Sequence, residues 1–193
     1  MGQATWRRST KETEIDVSLR TDGQGIAQID TGIGFFDHML TALTVHSGMD
    51  ITLHAKGDLY VDGHHTVEDT GIVLGTALSM ALGDKSGITR YGSAFIPMDE
   101  SLAFCSLDLS NRPFLVFEGT FTNERIGEFE TCLTEEFFRA FAEHAGMTLH
   151  VHLVYGKNDH HKCEAAFKAV AHALKIAMTP LTPGETLSTK GVL

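Results

Sequence analysis

Two copies of one short motif, His-His-x-x-Glu, carry the strongest chemical signal in the sequence. The first copy occupies residues 64–68 and the second residues 160–164. On an α-helix, side chains four residues apart lie on one face, so the first histidine and the glutamate of each copy can bind one cation together. The second histidine of each copy points about 100° away and can reach a second cation. The motif therefore predicts metal chemistry in each half of the chain.

The two motifs belong to a longer internal repeat. The segment 46–54 resembles 144–152 at an offset of 98 residues, and each copy is followed by its motif. A single HHxxE is compatible with a doublet of surface histidines, but its recurrence in register with a neighbouring match is improbable by chance. We interpret the chain as a duplicated half-domain, 1–88 and 89–193, with one shared core because no Pro-, Gly- or Ser-rich linker separates the halves.

The repeat also pairs His38 with Glu136, which are plausible ligands at corresponding positions. The predicted metal ligands are His38, His64, His65, Glu68, Glu136, His160, His161 and Glu164. Every donor in this set is nitrogen or oxygen, which suits octahedral Mn, Fe, Co or Ni at least as well as Zn. A closed structural zinc site would usually include cysteine.

The periodicity of apolar residues predicts the elements that position these side chains. Strands are predicted at 13–20, 26–29, 49–55, 93–98, 102–109, 114–121 and 148–155, and helices at 34–46, 64–82, 134–144 and 161–178. The same order occurs twice, so each half has a mostly antiparallel sheet with helices on one face. The predicted fold is an α+β sandwich in which two such sheets enclose a central layer of helices.

Composition limits the classes of function. The 193 residues are 42% hydrophobic and 21% charged, as in an ordinary globular protein, and the net charge of -10 argues against a nucleic-acid partner. No apolar run has the length of a membrane span, and the first residues lack the apolar stretch of a signal peptide. The three cysteines form no CxxC pair, which favours reduced thiols in the cytoplasm.

A protein of this charge that binds a phosphate must concentrate cations locally. The candidate phosphate contacts are Arg90, Arg112, Lys168, Ser188 and Lys190. Spacing favours Lys168 most, because it lies four residues after Glu164 and therefore on the metal-binding face of its helix.

Three other functions also use histidines and carboxylates as metal ligands. A zinc metallopeptidase requires HExxH or HxxEH, and neither motif occurs. A metal-dependent assembly or storage protein would use the same histidines as structural clips, but it needs no phosphate pocket. A two-metal phosphatase is a further alternative, and it would release inorganic phosphate.

Five segments together resemble one family, the imidazoleglycerol-phosphate dehydratases of histidine biosynthesis. They are RSTKET at 8–13, GIGFFDHML at 32–40, DGHHTVED at 62–69, NDHH at 158–161 with Glu164 and FKA at 167–169, and STKGV at 188–192. The resemblance covers essentially the whole chain, and the combination of segments is highly specific.

The resemblance implies a lyase that removes water from imidazole glycerol phosphate to give imidazole acetol phosphate. It implies two Mn²⁺ ions per active site, with other first-row divalent metals possible, and an assembly of 24 subunits with sites between neighbouring chains. The ligand set above matches the family by position, although many members carry histidine where this chain has Glu136. Glu12 matches the family's active-site glutamate and is the first choice for acid/base catalysis. The five candidate phosphate residues match the family's phosphate contacts.

Overall fold

The first half of the chain forms a four-stranded sheet. A computed structural model describes residues 2–181. The strands are β1 (Gln3–Ser9), β2 (Thr13–Arg20), β3 (Ala27–Asp30) and β4 (Asp50–Gly57), in the order β1-β2-β4-β3. Only β3 and β4 run parallel within this sheet. Along β2, alternate apolar residues are buried and the polar residues between them are exposed, so one face of the sheet is turned to the core.

The second half repeats this sheet. The strands are β5 (Tyr91–Met98), β6 (Ser101–Asp108), β7 (Phe114–Glu118) and β10 (Thr148–Tyr155), in the order β5-β6-β10-β7. Here β7 is the strand that runs parallel to β10. A small separate hairpin consists of β8 (Arg125–Ile126) and β9 (Phe129–Glu130). The matching strand orders confirm the predicted fold class of a duplicated α+β half-domain.

Within residues 2–181, four helices lie between the two sheets. They are α1 (Gly34–Ser47), α2 (His64–Leu82), α3 (Leu133–Ala145) and α4 (Asp159–Ala177). The packing crosses between the halves, since α2 contacts α3 and α1 contacts α4. Within the described part of the chain, none of these helices is long and apolar enough to span a lipid bilayer.

One hydrophobic core joins both halves. The ring of Phe137 on α3 lies 5.3 Å from Phe36 on α1 and 5.3 Å from Phe167 on α4, measured between ring centroids. All three side chains are fully buried. Aromatic contacts of this kind add to the free energy gained by removing the rings from water. The core therefore fixes α1 against α4. The division of the chain into half-domains at residue 88 stays a prediction.

The sequence did not predict β1, β8 or β9. Strand β1 is an edge strand, and Trp6 and Arg7 are exposed on it, so it lacks the regular alternation that identified β2. Helix α4 begins two residues earlier than predicted, because the side chain of Asn158 accepts a hydrogen bond from the backbone N–H of His160 and caps the helix.

A fully buried lysine ties the loop after α2 to the end of α3. The ammonium of Lys85 donates to the side-chain oxygen of Asn111 at 2.6 Å and to the carbonyl oxygens of Ala145 at 2.8 Å and Gly146 at 2.9 Å. Burial lowers the pKa of Lys85 to about 8, although the charge of Asp108 acts in the opposite direction. Lys85 therefore joins three acceptors, of which the Gly146 carbonyl also accepts the backbone N–H of Asn111 at 2.9 Å.

We expect Lys85→Met to lower the free energy of unfolding by about 2–4 kcal/mol, because the Ala145 carbonyl and the Asn111 side chain lose the donor that Lys85 supplies. Urea denaturation of the variant and of Lys56→Met, which changes an exposed lysine on β4, measures the difference. Equal stability of the two variants would show that the buried ammonium is not a structural tie.

Candidate active site

A buried carboxylate brings together donor atoms from both halves of the chain. Glu164 on α4 places its Oε2 atom 3.2 Å from Nε2 of His160 and 3.4 Å from Nε2 of His38, which lies on α1. The three donor atoms all lie within 4.8 Å of one another. The packing of α1 against α4 is therefore what builds this cluster.

Glu164 is held in its ionised form. Its side chain is 8% exposed, and Lys168 Nζ lies 2.6 Å from the other carboxylate oxygen, Oε1. Burial acts to raise the pKa of Glu164, but the hydrogen bond and charge of Lys168, together with His38, outweigh burial and lower that pKa. Lys168 thus occupies one oxygen and leaves Oε2 facing the two imidazoles.

The chemistry of the cluster fits a divalent cation. Two imidazole nitrogens and one carboxylate oxygen suit Mn, Fe, Co, Ni or Zn. Within residues 2–181, it is the one group of three His, Cys, Asp or Glu side chains whose donor atoms lie this close together.

Within the described part of one chain, the residues of the first motif do not belong to a corresponding group of three closely spaced donor atoms. His64 Nε2 lies 3.9 Å from Glu68 Oε2, as expected for residues four apart on α2. Glu136 on α3 instead pairs with Arg139, whose Nε atom lies 3.4 Å away. Its role as a ligand stays a prediction.

The second histidine of each motif contacts carboxylates that the sequence did not single out. His65 Nδ1 lies 3.1 Å from Asp58, and His161 Nδ1 lies 2.7 Å from Glu100. A third acidic residue, Asp99, lies 3.8 Å from His161 Nε2. The hydrogen bond to Asp58 raises the pKa of His65, and that to Glu100 raises the pKa of His161. The only sequence signal for these residues was their position in loops next to strand ends.

Glu12 is placed beside the first motif by the β1–β2 turn. Its Oε1 atom lies 3.9 Å from His65 Nε2, and its side chain is 55% exposed. The turn is fixed by Thr10, whose hydroxyl accepts the backbone N–H of Glu12 at 3.1 Å. Asp69 on α2 accepts hydrogen bonds from Arg8 and from the Thr13 hydroxyl, which holds the hairpin against the helix. Glu12 is therefore positioned by the strand that the sequence did not predict.

Two of the predicted phosphate contacts share one carboxylate. Asp108 accepts Arg90 Nε at 2.6 Å, Arg90 Nη2 at 3.0 Å and Arg112 Nη2 at 3.1 Å. The Arg90 side chain is 9% exposed and that of Arg112 is 69% exposed. One predicted contact is thus held rigidly and the other is open to solvent; Ser188 and Lys190 lie outside the described residues.

The arginines and the histidine clusters lie at opposite ends of the second sheet. Asp108 faces Tyr91 at the start of β5, whereas Glu100 follows Met98 at its end. Strand β5 has eight residues. The steps from its first to its last residue, about 3.3 Å each, separate these ends by roughly 23 Å. Lys168, in contrast, lies at the histidine end, where it contacts Glu164.

Comparison with known proteins identifies the family. Residues 31–174 match the family model described as imidazoleglycerol-phosphate dehydratase, and this span contains both HHxxE motifs. The chain belongs to the imidazoleglycerol-phosphate dehydratase family. Membership confirms the resemblance seen in the sequence and makes the chain an enzyme of the hydro-lyase class.

Individual members of the imidazoleglycerol-phosphate dehydratase family match along almost their whole length. The enzyme of Rhodopseudomonas palustris is 54% identical, with 100% of this chain and 99% of that protein covered. That of Clostridium kluyveri is 56% identical, with 96% of each covered. The crystal structure from Staphylococcus aureus has a TM-score of 0.84 and 43% identity, over 92% of this chain and 99% of that one. A Pyrococcus furiosus structure has a TM-score of 0.84 and 38% identity, over 97% and 100%.

We expect added Mn²⁺ to raise the melting temperature of the metal-free protein in a concentration-dependent way. When the free Mn²⁺ concentration is a hundredfold above Kd, the free energy of unfolding should rise by about 2.7 kcal/mol. His38→Ala should lose most of this shift, because it removes one of the three donors. Melting curves with increasing MnCl₂ measure the effect, and His54→Ala, which changes an exposed histidine on β4, is the control. An undiminished shift in His38→Ala would contradict the assignment of His38.

Proposed function

We propose that this chain dehydrates imidazole glycerol phosphate to imidazole acetol phosphate in histidine biosynthesis, in the cytoplasm. It does so with two Mn²⁺ ions per active site, and other divalent first-row metals are possible. The observation that carries the proposal is the cluster of His38, His160 and Glu164, which lies inside the span that matches the dehydratase family.

The reaction has two difficulties that a metal-binding site can reduce. The proton to be removed lies on a carbon next to the imidazole ring and is not acidic, and hydroxide must leave the neighbouring carbon. Bound divalent ions supply Lewis-acid charge that makes an imidazole easier to deprotonate and stabilises the negative charge that develops. The proposed protein ligands are the eight histidine and glutamate residues predicted from the repeat.

Glu12 is the proposed acid/base group. Its exposed carboxylate borders His65, so a substrate ring bound at the second histidine of the motif would lie beside it. The turn that carries Glu12 is held by Thr10 and Asp69, so the backbone that positions the carboxylate is fixed before substrate binds. Its role is to take the proton from carbon and to protonate the leaving hydroxyl group.

The proposed phosphate contacts hold the other end of the substrate. Arginine matches phosphate with two parallel hydrogen bonds, and lysine and serine complete the cradle. Asp108 fixes Arg90 and keeps Arg112 beside it. Lys168, Ser188 and Lys190 are the remaining proposed contacts.

The separation of these groups supports active sites built between subunits. A small phosphorylated imidazole cannot span the roughly 23 Å between the two ends of β5. Arg112 and His161 of one chain therefore serve different sites, and each site needs groups from a neighbouring copy. This supports an oligomer with active sites between chains; the number of 24 subunits is proposed from the family resemblance alone.

We expect Glu12→Gln to keep its bound Mn²⁺ but to lose about 10²–10⁴-fold in kcat, because general acid/base catalysis is removed. Turnover of imidazole glycerol phosphate, measured with metal content, tests this. Glu14→Gln is the matched control, since Glu14 pairs with Arg7 on the outer face of the same sheet. Near-normal kcat in Glu12→Gln would remove Glu12 from the mechanism.

The same assay separates other functions. Release of inorganic phosphate would identify a phosphatase. Tight metal binding with no turnover of the wild type would identify a structural metal clip.

We expect Arg112→Gln to raise KM about 10–100-fold with a smaller effect on kcat, because it removes a charge-assisted hydrogen bond to the phosphate. Steady-state kinetics beside Arg20→Gln, whose arginine pairs with Asp50 on the first sheet, tests this. Tight binding of a non-phosphorylated analogue to the wild type would contradict the phosphate cradle.

A further inference from the structure

The second imidazole of each HHxxE motif is bound by a carboxylate through the same ring nitrogen. His65 Nδ1 lies 3.1 and 3.2 Å from the two oxygens of Asp58, and His161 Nδ1 lies 2.7 Å from Glu100 Oε2. An ionised carboxylate only accepts hydrogen bonds, so Nδ1 carries the hydrogen in both rings. In the neutral ring, Nε2 is then the atom with a free lone pair.

The side chains of both histidines are partly exposed, 35% for His65 and 24% for His161. Nε2 of His65 is directed towards Glu12 at 3.9 Å and Nε2 of His161 towards Asp99 at 3.8 Å. The Glu12 and Asp99 side chains are 55% and 76% exposed. The free nitrogen of each ring is therefore accessible from outside the chain, where a neighbouring copy would contribute further groups.

The two carboxylates do not occupy corresponding positions in the duplication. In the sheets, Val17 faces Leu53 and Cys105 faces Val151. Leu53 and Val151 are 98 residues apart, as in the sequence repeat, so Val17 corresponds to Cys105. By the same register Glu12 corresponds to Glu100.

The corresponding glutamates have diverged in what they contact. Glu12 lies beside the Nε2 edge of its histidine, whereas Glu100 holds the Nδ1 edge. In the first half Asp58, from the loop after β4, holds the Nδ1 edge instead. In both halves a carboxylate therefore accepts the Nδ1–H of the second histidine, but the two carboxylates come from positions that do not correspond in the repeat.

Glu100 is itself fixed. Its Oε1 atom accepts the backbone N–H groups of Lys157 at 3.0 Å and Asn158 at 2.7 Å, and the Ser101 hydroxyl at 3.1 Å. Only Oε2 is directed at His161. Asp58 has a side chain that is 13% exposed, so it too has little freedom to turn away from His65.

We propose that Asp58 and Glu100 are positioning residues that fix His65 and His161 in the Nδ1–H tautomer, so that each presents Nε2 as a cation ligand. The inference rests on the proposed function, which assigns both histidines to metal binding. Carboxylates that accept the second N–H of a ligating histidine orient its ring and increase its basicity, and their loss typically weakens metal binding about 10–100-fold.

The two amide variants should differ. In Glu100→Gln the amide oxygen must stay on the backbone N–H groups, so its NH₂ group faces Nδ1 and favours the tautomer with hydrogen on Nε2. In Asp58→Asn the amide can turn its oxygen towards Nδ1 and keep the useful tautomer. We therefore expect the larger loss of Mn²⁺ affinity, about 10–100-fold, in Glu100→Gln and a smaller loss in Asp58→Asn.

The experiment titrates each full-length variant with MnCl₂ and follows free Mn²⁺ by its electron paramagnetic resonance signal. Glu143→Gln and Asp16→Asn are matched controls, since both change an exposed carboxylate that contacts neither His65 nor His161. Melting curves of the metal-free proteins accompany the titration, because a positioning role leaves them unchanged. If Asp58→Asn fails to fold, Glu100→Gln decides alone.

Affinities in Glu100→Gln equal to those of Glu143→Gln would overturn the inference. So would a loss of affinity that follows a lower metal-free melting temperature, since this would indicate a purely structural role. Failure of the proposed function looks different, because the wild type itself would then bind no Mn²⁺, or would bind Mn²⁺ without turning over imidazole glycerol phosphate.

Discussion

A carboxylate removed from water stays ionised only if cations or hydrogen-bond donors replace the water. Glu164 meets this requirement with Lys168 on one oxygen and two imidazoles at the other. One imidazole belongs to α1 in the first half and the other to α4 in the second. The candidate cation site therefore exists only when the two halves pack together, and the aromatic core around Phe137 is what holds them.

Duplication followed by divergence explains the asymmetry between the two motifs. The two HHxxE motifs are alike, but residues at other corresponding positions differ. His38 in the first half corresponds to Glu136 in the second. Glu12 is exposed beside its histidine, whereas Glu100 is fixed by backbone N–H groups. Two corresponding glutamates therefore differ in their contacts: Glu100 accepts a hydrogen bond from its histidine, and Glu12 remains exposed beside the other.

The sequence predicted what periodicity and repetition encode. The bounds of β2 and α2 agree with the prediction because their apolar residues follow periods of 2 and 3.6. Edge strand β1 was missed because its residues are largely exposed. Asp58 and Glu100 lie in loops and Asp108 is the last residue of β6, and a single carboxylate at such a place has no periodic signal. Glu100 meets its partner His161 across 61 residues of sequence, so only the fold brings these two together.

The most direct test of this account is anomalous diffraction at the manganese absorption edge from crystals of the Mn²⁺-loaded protein. The account predicts a peak within coordination distance of Nε2 of His38, Nε2 of His160 and Oε2 of Glu164, with Lys168 still bound to the other oxygen of Glu164. Manganese peaks found only elsewhere, with these three side chains contacting no ion in any subunit, would contradict it.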